Sequence, residues 1–480
     1  LIVGLVLFFV AFPAILFGDW WIVLFAAGGL IFAIKELLQI RIERPFPLPI
    51  RWFVYGMSFS LVFWIFLYNN FQQLGFNFTE WGFDVGMEKL ELPTIFLTVF
   101  AGTLFFSSIT DVRFKVQDAT FLIALVLLIT LSFQGFLYLR FFEASKALLD
   151  FDNLGLSVIE ISHRSKNFVA VMDEAVALVK ELMNVPDTHE VIFLQGGASL
   201  QFAMVAYNYL TETGKAQYLD TGAWASKALK EAKGLGTAEA IASSKEANYN
   251  FIPKGYSIDP AADYFHCTSN NTIYGTQMKS FPETDVPVIC DMSSDIFSRP
   301  VDVSKFDLIY AGAQKNLGPA GATLVIVRKD SLGKSGRYIP TMLKYTIHIE
   351  KESMFNTPPV FSVYVSMLTL RWLKEMGGVE AIAARNQAKA DLLYSEIDRN
   401  PLFVGTAATE DRSNMNACFL LKDEATHKND FDALVKAAKI NGINGHRDVG
   451  GYRASMYNAM DLDSVQALVD CMKELEKQYA

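Results

Sequence analysis

The chain has 480 residues, 51% of them hydrophobic and 13% aromatic, which is ample for more than one domain. A net charge of −9 and a pI near 5.3 argue against a nucleic-acid-binding surface. The mean hydropathy of +0.24 is high for a soluble enzyme, and the excess lies before about Phe142.

Five apolar stretches fill that first part: Leu1 to Phe17, Trp20 to Ala33, Trp52 to Tyr68, Pro93 to Ile109 and Phe121 to Phe142. They approach or reach the length of a bilayer span, and Trp20, Trp21, Trp52 and Trp81 stand at segment ends, where amphipathic rings favour the interface. Residues 1–142 are therefore predicted to form a helical membrane region, with no ionisable residue in mid-segment to suggest an ion path. Lys35, Arg41, Arg44 and Arg51 favour the cytoplasm for one loop, and Glu80, Asp84, Glu88 and Glu91 the outside for the next. Arg113 and Lys115 then lie inside, so a last span would put everything after Phe142 outside. The chain begins at Leu1, which leads us to expect a missing or processed start.

From about Ala144 the pattern is that of an α/β enzyme. Asn167 to Met183 has helical periodicity. A strand, Glu190 to Leu194, runs into Gln195-Gly196-Gly197-Ala198-Ser199 and a helix through Leu210, a natural phosphate cradle although many strand-to-helix turns carry Gly. Ala216 to Leu219 leads to Asp220-Thr221-Gly222-Ala223-Trp224, and a Trp at a strand end can stack on a planar ring or simply fill the core. Asp263 to Thr268 is a further strand, followed by a polar loop containing Thr272. The apolar run Val286 to Cys290 ends in Asp291, and Leu308 to Tyr310 leads into Ala311-Gly312-Ala313-Gln314-Lys315-Asn316. A Lys among small residues after a buried strand is a candidate Schiff-base nucleophile. An Asp one strand earlier is the pairing expected for pyridoxal phosphate (PLP), in which a carboxylate keeps the pyridine nitrogen protonated. Thr323 to Val327 is one more strand, and the alternation implies a mostly parallel sheet with its site at the strand C-terminal ends.

Lys344 to Thr357 reads as a polar stretch ending in Asn356-Thr357-Pro358-Pro359. A helical region from about Phe361 to Arg399 is broken at Gly377 and Gly378. A second α/β unit closes the chain with a strand at Cys418 to Leu421, a helix at Asp430 to Ala438, a Gly-rich segment from Gly445 to Ser455 and a helix from Asp463. The four cysteines, Cys267, Cys290, Cys418 and Cys471, have no metal-ligand spacing and read as buried thiols in a reducing compartment; no metal site is expected.

Six segments in order carry a resemblance: Glu160-Ile161-Ser162-His163-Arg164, Gly196 to Ser199, Asp291-Met292-Ser293-Ser294, Gly312 to Asn316, Phe355 to Pro359, and Gly445-His446-Arg447 through Gly451-Tyr452-Arg453-Ala454-Ser455. From about Ala144 to the end, the chain resembles the phosphoserine aminotransferases, class V members of the fold-type I PLP enzymes. The resemblance implies a PLP-binding large domain at 143–360, and a connecting helix and small domain at 361–480. It implies a seven-stranded, mostly parallel sheet in a homodimer with shared sites. Lys315 would carry PLP, Asp291 would pair with its pyridine nitrogen and Trp224 would stack on its ring. Ala198, Ser199 and Gln314 would bind its phosphate, with Thr272 touching it from its own loop. Asn356 and Thr357 would reach the same phosphate from the partner. Arg453 would clamp the substrate α-carboxylate. His446 and Arg447, with His163 and Arg164 from the other subunit, would hold the substrate phosphate. The implied reaction is reversible amino transfer between glutamate and 3-phosphohydroxypyruvate, in serine biosynthesis, with a parallel step in PLP biosynthesis. Two other readings stand beside it: a class V enzyme acting on serine and glyoxylate, and a membrane protein with a non-catalytic scaffold. In one respect the chain departs from the family. The Asn-Phe and Gly-Pro opening is absent, and Phe142-Glu143-Ala144 leads directly into the enzyme part. Together with the orientation conflict, this leads us to expect two parts joined rather than one evolved unit, and an enzyme that belongs in the cytoplasm.

Overall fold

The computed structural model describes residues 143–479 together with Ile50, Trp52, Val54 and Tyr55. Those four positions are helical; otherwise the apolar stretches read as membrane spans lie outside the described residues. No described helix is long and apolar enough to cross a membrane. The chain divides into two compact units, Leu1–Leu149 and Asp150–Ala480. Helix α1 (Glu143–Leu149) belongs to the first. All that follows concerns the second, which contains both of the expected enzyme domains.

Helix α2 (Lys166–Leu182) starts where the Ser165 side chain accepts the Phe168 N–H, and it buries Phe168, Val171, Met172, Ala175, Leu178 and Val179 along one stripe. Strands and helices then alternate: β1 (His189–Leu194), α3 (Gly197–Tyr209), β2 (Lys215–Asp220), α4 (Ala223–Lys233), β3 (Thr237–Ser243) and β4 (Tyr264–Thr268). A small hairpin, β5 (Asn270–Asn271) with β6 (Thr276–Gln277), precedes β7 (Val288–Asp291), β8 (Leu308–Gly312) and β9 (Thr323–Arg328). The large sheet has seven strands in the order β1-β9-β8-β7-β4-β2-β3. The run β8-β7-β4-β2-β3 is parallel throughout. Strand β9 is antiparallel to both neighbours, so the sheet is mixed. The reason is the short return through residues 313–322, which holds no crossover helix, and a parallel return requires one.

The central strands are apolar runs because helices cover both sheet faces: Leu308, Ile309, Tyr310 and Ala311 are wholly buried. Strand β3 is different. It lies at the sheet edge and its Thr-Ala-Glu-Ala-Ile-Ala-Ser sequence leaves mostly exposed or half-buried side chains, so no apolar run announces it.

Within the stretch read as polar, Tyr345–Glu350 forms a short helix, α5, anchored by the buried rings of Tyr345 and His348. The long helical region is α6 (Val360–Glu375) and α7 (Gly378–Arg399). Between them Gly377 and Gly378 take φ of 95° and 77°, left-handed values that favour glycine. Three antiparallel strands, β10 (Phe403–Gly405), β11 (Asn416–Leu421) and β12 (Tyr452–Ser455), form the small sheet. Helices α8 (Glu424–Ala437) and α9 (Leu462–Tyr479) flank it, around a core of Phe403, Phe419, Phe431, Tyr452 and Leu475. Helix α8 starts earlier than its apolar pattern suggests, because Asp423 caps it by accepting the Thr426 N–H. All four cysteines are buried and free, as their apolar settings imply.

Candidate active site

Strands β7 and β8 lie side by side with Asp291 opposite Tyr310, so Asp291 ends one strand where the other is about to release the Lys315 turn. Ser293 ties these ends together. Its N–H donates to Asp291 Oδ1 at 2.9 Å, and its Oγ accepts the Gly312 N–H at 3.1 Å. The turn is held by the N–H groups of Lys315, Leu317 and Gly318, which all donate to the Ala313 carbonyl. Burial pushes the Asp291 carboxyl up, against the opposing pull of Ser293 and Lys315. Burial likewise pushes the Lys315 ammonium down; Asp291 opposes this, and the charge of Arg453 adds to it. Lys315 thus feels two acids, Asp291 and Asp295, and one guanidinium, and burial shifts it toward the neutral amine that a nucleophile requires.

Beyond β1 the backbone turns at Gly196 and Gly197, with φ of 84° and 63°, and a Cβ at Gly196 would come within 2.5 Å of the Leu200 side chain. No side chain caps α3. Its first-turn N–H groups, at Gly197, Ala198 and Ser199, are therefore free to receive an anion. The Gln314 side chain folds back over Gly312. Gln195 Nε2 donates to the Thr357 carbonyl, and Asn356 and Pro358 line a cavity of about 30 Å³ with Gln195 and Leu200. The Asn356–Thr357 loop thus lies against its own chain's phosphate-type turn.

Trp224 occupies the first turn of α4, half-buried, with Lys227 Nζ 4.2 Å from its ring centroid. Beside it Tyr249, Ile273 and Tyr274 form a small apolar cluster on which Val449 also packs. Thr272 is buried, and its carbonyl receives a long contact of 3.5 Å from Arg453 Nη1 on β12. Three buried polar atoms of these residues and their strand neighbours have no protein partner: Trp224 Nε1, Arg453 Nε and Thr268 Oγ1; away from them, His163 Nε2 is also unpartnered. Thr268 pairs with Asp291 in the sheet register.

The outer loop is built on glycines. The Gly445 N–H donates to the Gly451 carbonyl, and a Cβ at Gly445 would lie 1.9 Å from the Gly450 carbonyl oxygen. His446 Nδ1 accepts the Asp448 N–H, and Arg447, 91% exposed, reaches only Asp448 at 3.7 Å. Arg164 is exposed ahead of α2. Among the described residues of this single chain, no hydrogen bond or ion pair joins His163 or Arg164 to His446 or Arg447. The structure therefore gathers Lys315, Asp291, Arg453 and Thr272 closely, sets Trp224 and the Gly196–Ser199 turn at strand ends of the same sheet, and leaves the two His-Arg pairs apart. Sequence reasoning passed over Ser293, Tyr274 and Val449. Ser293 stands in a quoted motif and was legible there; the other two are ordinary apolar positions that only packing distinguishes.

A half-buried Lys in the turn after one strand and a buried Asp at the end of its neighbour are the pair a PLP-dependent aminotransferase needs, and the sequence pattern of the aminotransferase class-V family matches residues 143–468. The phosphoserine aminotransferase of Flavobacterium psychrophilum is 66% identical over 339 residues, covering 70% of this chain and 95% of that protein. That of Flavobacterium johnsoniae is 62% identical over the same shares. Among solved structures, the phosphoserine aminotransferase of Bacillus circulans subsp. alkalophilus superposes with a TM-score of 0.68 at 44% identity, covering 70% of this chain and 94% of that one. The PLP-bound enzyme of Trichomonas vaginalis gives 0.66 at 37%, covering 69% and 94%. The chain belongs to the phosphoserine aminotransferase family. The residues present fit the cofactor: the orphaned Trp224 Nε1 and Thr268 Oγ1, the buried Asp291 carboxyl and the free N–H groups of α3 are the donors and acceptors that PLP would engage.

Proposed function

We propose that residues 143–480 catalyse reversible amino transfer between glutamate and 3-phosphohydroxypyruvate, giving 2-oxoglutarate and phosphoserine. The observation that carries this reading is the pairing of β7 with β8, tied by Ser293, which brings the buried Asp291 carboxyl beside the strand that releases the Lys315 turn. When bound, PLP supplies an electron sink for the charge that develops at the substrate α-carbon. Lys315 would hold the cofactor covalently, and its Nζ, once free of it, would move the proton to and from that α-carbon. Asp291 would keep a proton on the pyridine nitrogen. Trp224 would stack on the ring, and Thr272 would border it. Ala198, Ser199 and Gln314 bind the cofactor phosphate, completed by Asn356 and Thr357 across a homodimer. Arg453 takes the α-carboxylate with a planar fork of donors. His446 and Arg447, joined by His163 and Arg164 of the second subunit, take the substrate phosphate. We assign the cofactor to a domain at 143–360, which bears Lys315, and the carboxylate clamp Arg453 to a smaller domain at 361–480.

The test is a substrate comparison on purified protein. Glutamate with 3-phosphohydroxypyruvate should yield phosphoserine, and replacing the acceptor with glyoxylate should lose most of the rate. Equal rates with both acceptors would favour the serine–glyoxylate reading, and no PLP absorbance at all would favour the scaffold. Residues 1–142 we read as a membrane-inserting region, on the strength of their five apolar stretches. Release of the full chain from vesicles by alkaline wash would contradict insertion.

A further inference from the structure

The segment that follows Arg453 is pinned from two sides by buried polar groups that the reaction does not use. On one side, Asn316, the residue after Lys315, accepts the Asn458 N–H on its Oδ1 at 3.0 Å. Asn316 Nδ2 in turn donates to the Ile296 carbonyl at 3.1 Å. The Asn458 side chain donates to the Phe297 carbonyl at 2.9 Å, and its Oδ1 accepts Asn386 Nδ2 at 2.8 Å. On the other side, the Lys389 ammonium donates to three backbone carbonyls of this one segment: Met456 at 3.0 Å, Tyr457 at 2.8 Å and Met460 at 3.0 Å. Asn386 and Lys389 stand one turn apart on the same face of α7. Asn316, Asn386, Lys389 and Asn458 are between 1% and 7% exposed.

Four buried amide and ammonium groups in one seam are costly to hold unless they find partners, and here every donor does, while Asn386 Oδ1 alone among their polar atoms is left without one. A lysine with all three donors spent on one turn of backbone has no water or carboxylate to serve. An apolar filling would pack this seam as tightly but would leave it free to slide. What the polar seam fixes is a distance: Met456 to Asn458 begin directly beyond the strand that bears Arg453, and Asn316 is covalently next to Lys315. Resting on the aminotransferase reading above, we propose that Asn316, Asn386, Asn458 and Lys389 are positioning residues, a latch that sets the Arg453 carboxylate clamp against Lys315. Arg453 grips the α-carboxylate of whichever amino acid is bound, so a displaced clamp weakens that grip, and the latch governs how tightly substrate is held.

The experiment uses the full-length holoenzyme and four variants: Asn316→Ala, Asn458→Ala, Lys389→Met and the double variant Asn316→Ala/Lys389→Met. Two quantities are read: KM against kcat for glutamate and phosphoserine, and the dissociation constant of glutarate, a dicarboxylate that does not react, followed through the visible absorbance of bound cofactor. Each single variant should raise KM for both amino acids and weaken glutarate by about tenfold, with kcat less affected. The double variant should weaken glutarate by much less than the product of the single effects, because both ends grip one segment. Should Lys389→Met fail to fold, the two asparagine variants carry the test, with Asn316→Ala/Asn458→Ala as the double. Variants that lower the thermal midpoint but leave glutarate binding and both KM values at the parent's level would overturn the latch. A parent enzyme that binds glutarate but transfers no amino group would instead overturn the aminotransferase reading, so the two failures are distinct.

Discussion

The floor and the rim of the site are built in opposite ways. At the floor, Asp291 ends one buried strand and Lys315 sits in the turn that leaves its parallel neighbour, and burial displaces the titration of each. Ser293 spans the two strand ends, so one chain completes this part without help. At the rim, Arg447 and Arg164 stand exposed, and Asp448 is the ion-pair partner of Arg447. The difference is one of timing. Chemistry at the α-carbon needs a prearranged, water-poor setting before substrate arrives. Recognition of a dianion can be assembled from mobile cationic side chains when the phosphate and a second subunit are both present.

Substitutions test this contrast in descending order of effect. Lys315→Ala should remove transamination completely and with it the visible band of lysine-bound cofactor; a normal band in that variant would move the covalent role elsewhere. Asp291→Ala should keep PLP but cut turnover about a thousandfold, since an unprotonated pyridine withdraws electrons poorly. Asp291→Asn also separates stability from function. In the cofactor-free chain, burial makes the folded state hold the Asp291 proton to higher pH than the unfolded state does. Between the ordinary carboxylate value and the raised one, the folded state binds more protons, so stability falls as pH rises through that window. The asparagine should abolish that fall, raising the thermal midpoint of the apoprotein above the window while weakening holoenzyme turnover. An unchanged midpoint would mean the carboxylate is not strained.

Arg453→Lys belongs between floor and rim. It should raise KM for glutamate and phosphoserine alike by about ten- to a hundredfold, because a point charge does not replace a two-pronged clamp. Selective loss of one substrate would assign Arg453 to the rim. The smallest effects should come from Arg164→Ala and Arg447→Ala. Each should raise KM for phosphoserine by about tenfold and leave glutamate nearly untouched, and the double variant should fall short of the product. Equal losses for both substrates would deny these residues a phosphate role and dissolve the contrast.

Much of the floor was legible without coordinates. Asp291 closes one apolar run and Lys315 follows another after a few small residues, and an apolar run bounded by small or polar residues reads as a buried strand that delivers them to the site. The glycine pairs at 196–197 and 377–378 are likewise local signals, because left-handed backbone selects glycine whatever lies around it. Edge strand β3 was illegible, since an edge needs no apolar alternation and its residues show none. Helix α5 was missed because the burial of Tyr345 and His348, not the polarity of the stretch, holds it. The antiparallel return of β9 follows from a chain reversal too short for a helix, a fact about loop length that the apolar pattern of the strand does not carry. Sequence alone therefore determined which residues are strand ends, turns and candidate chemical groups, because those depend on local hydrophobic pattern and backbone conformation. Only the tertiary structure decided that Asn316, Asn386, Asn458 and Lys389 meet in one seam. Their partners are mostly backbone carbonyls far away along the chain, and a carbonyl is the same at every position, so no residue type marks where such a bond will form.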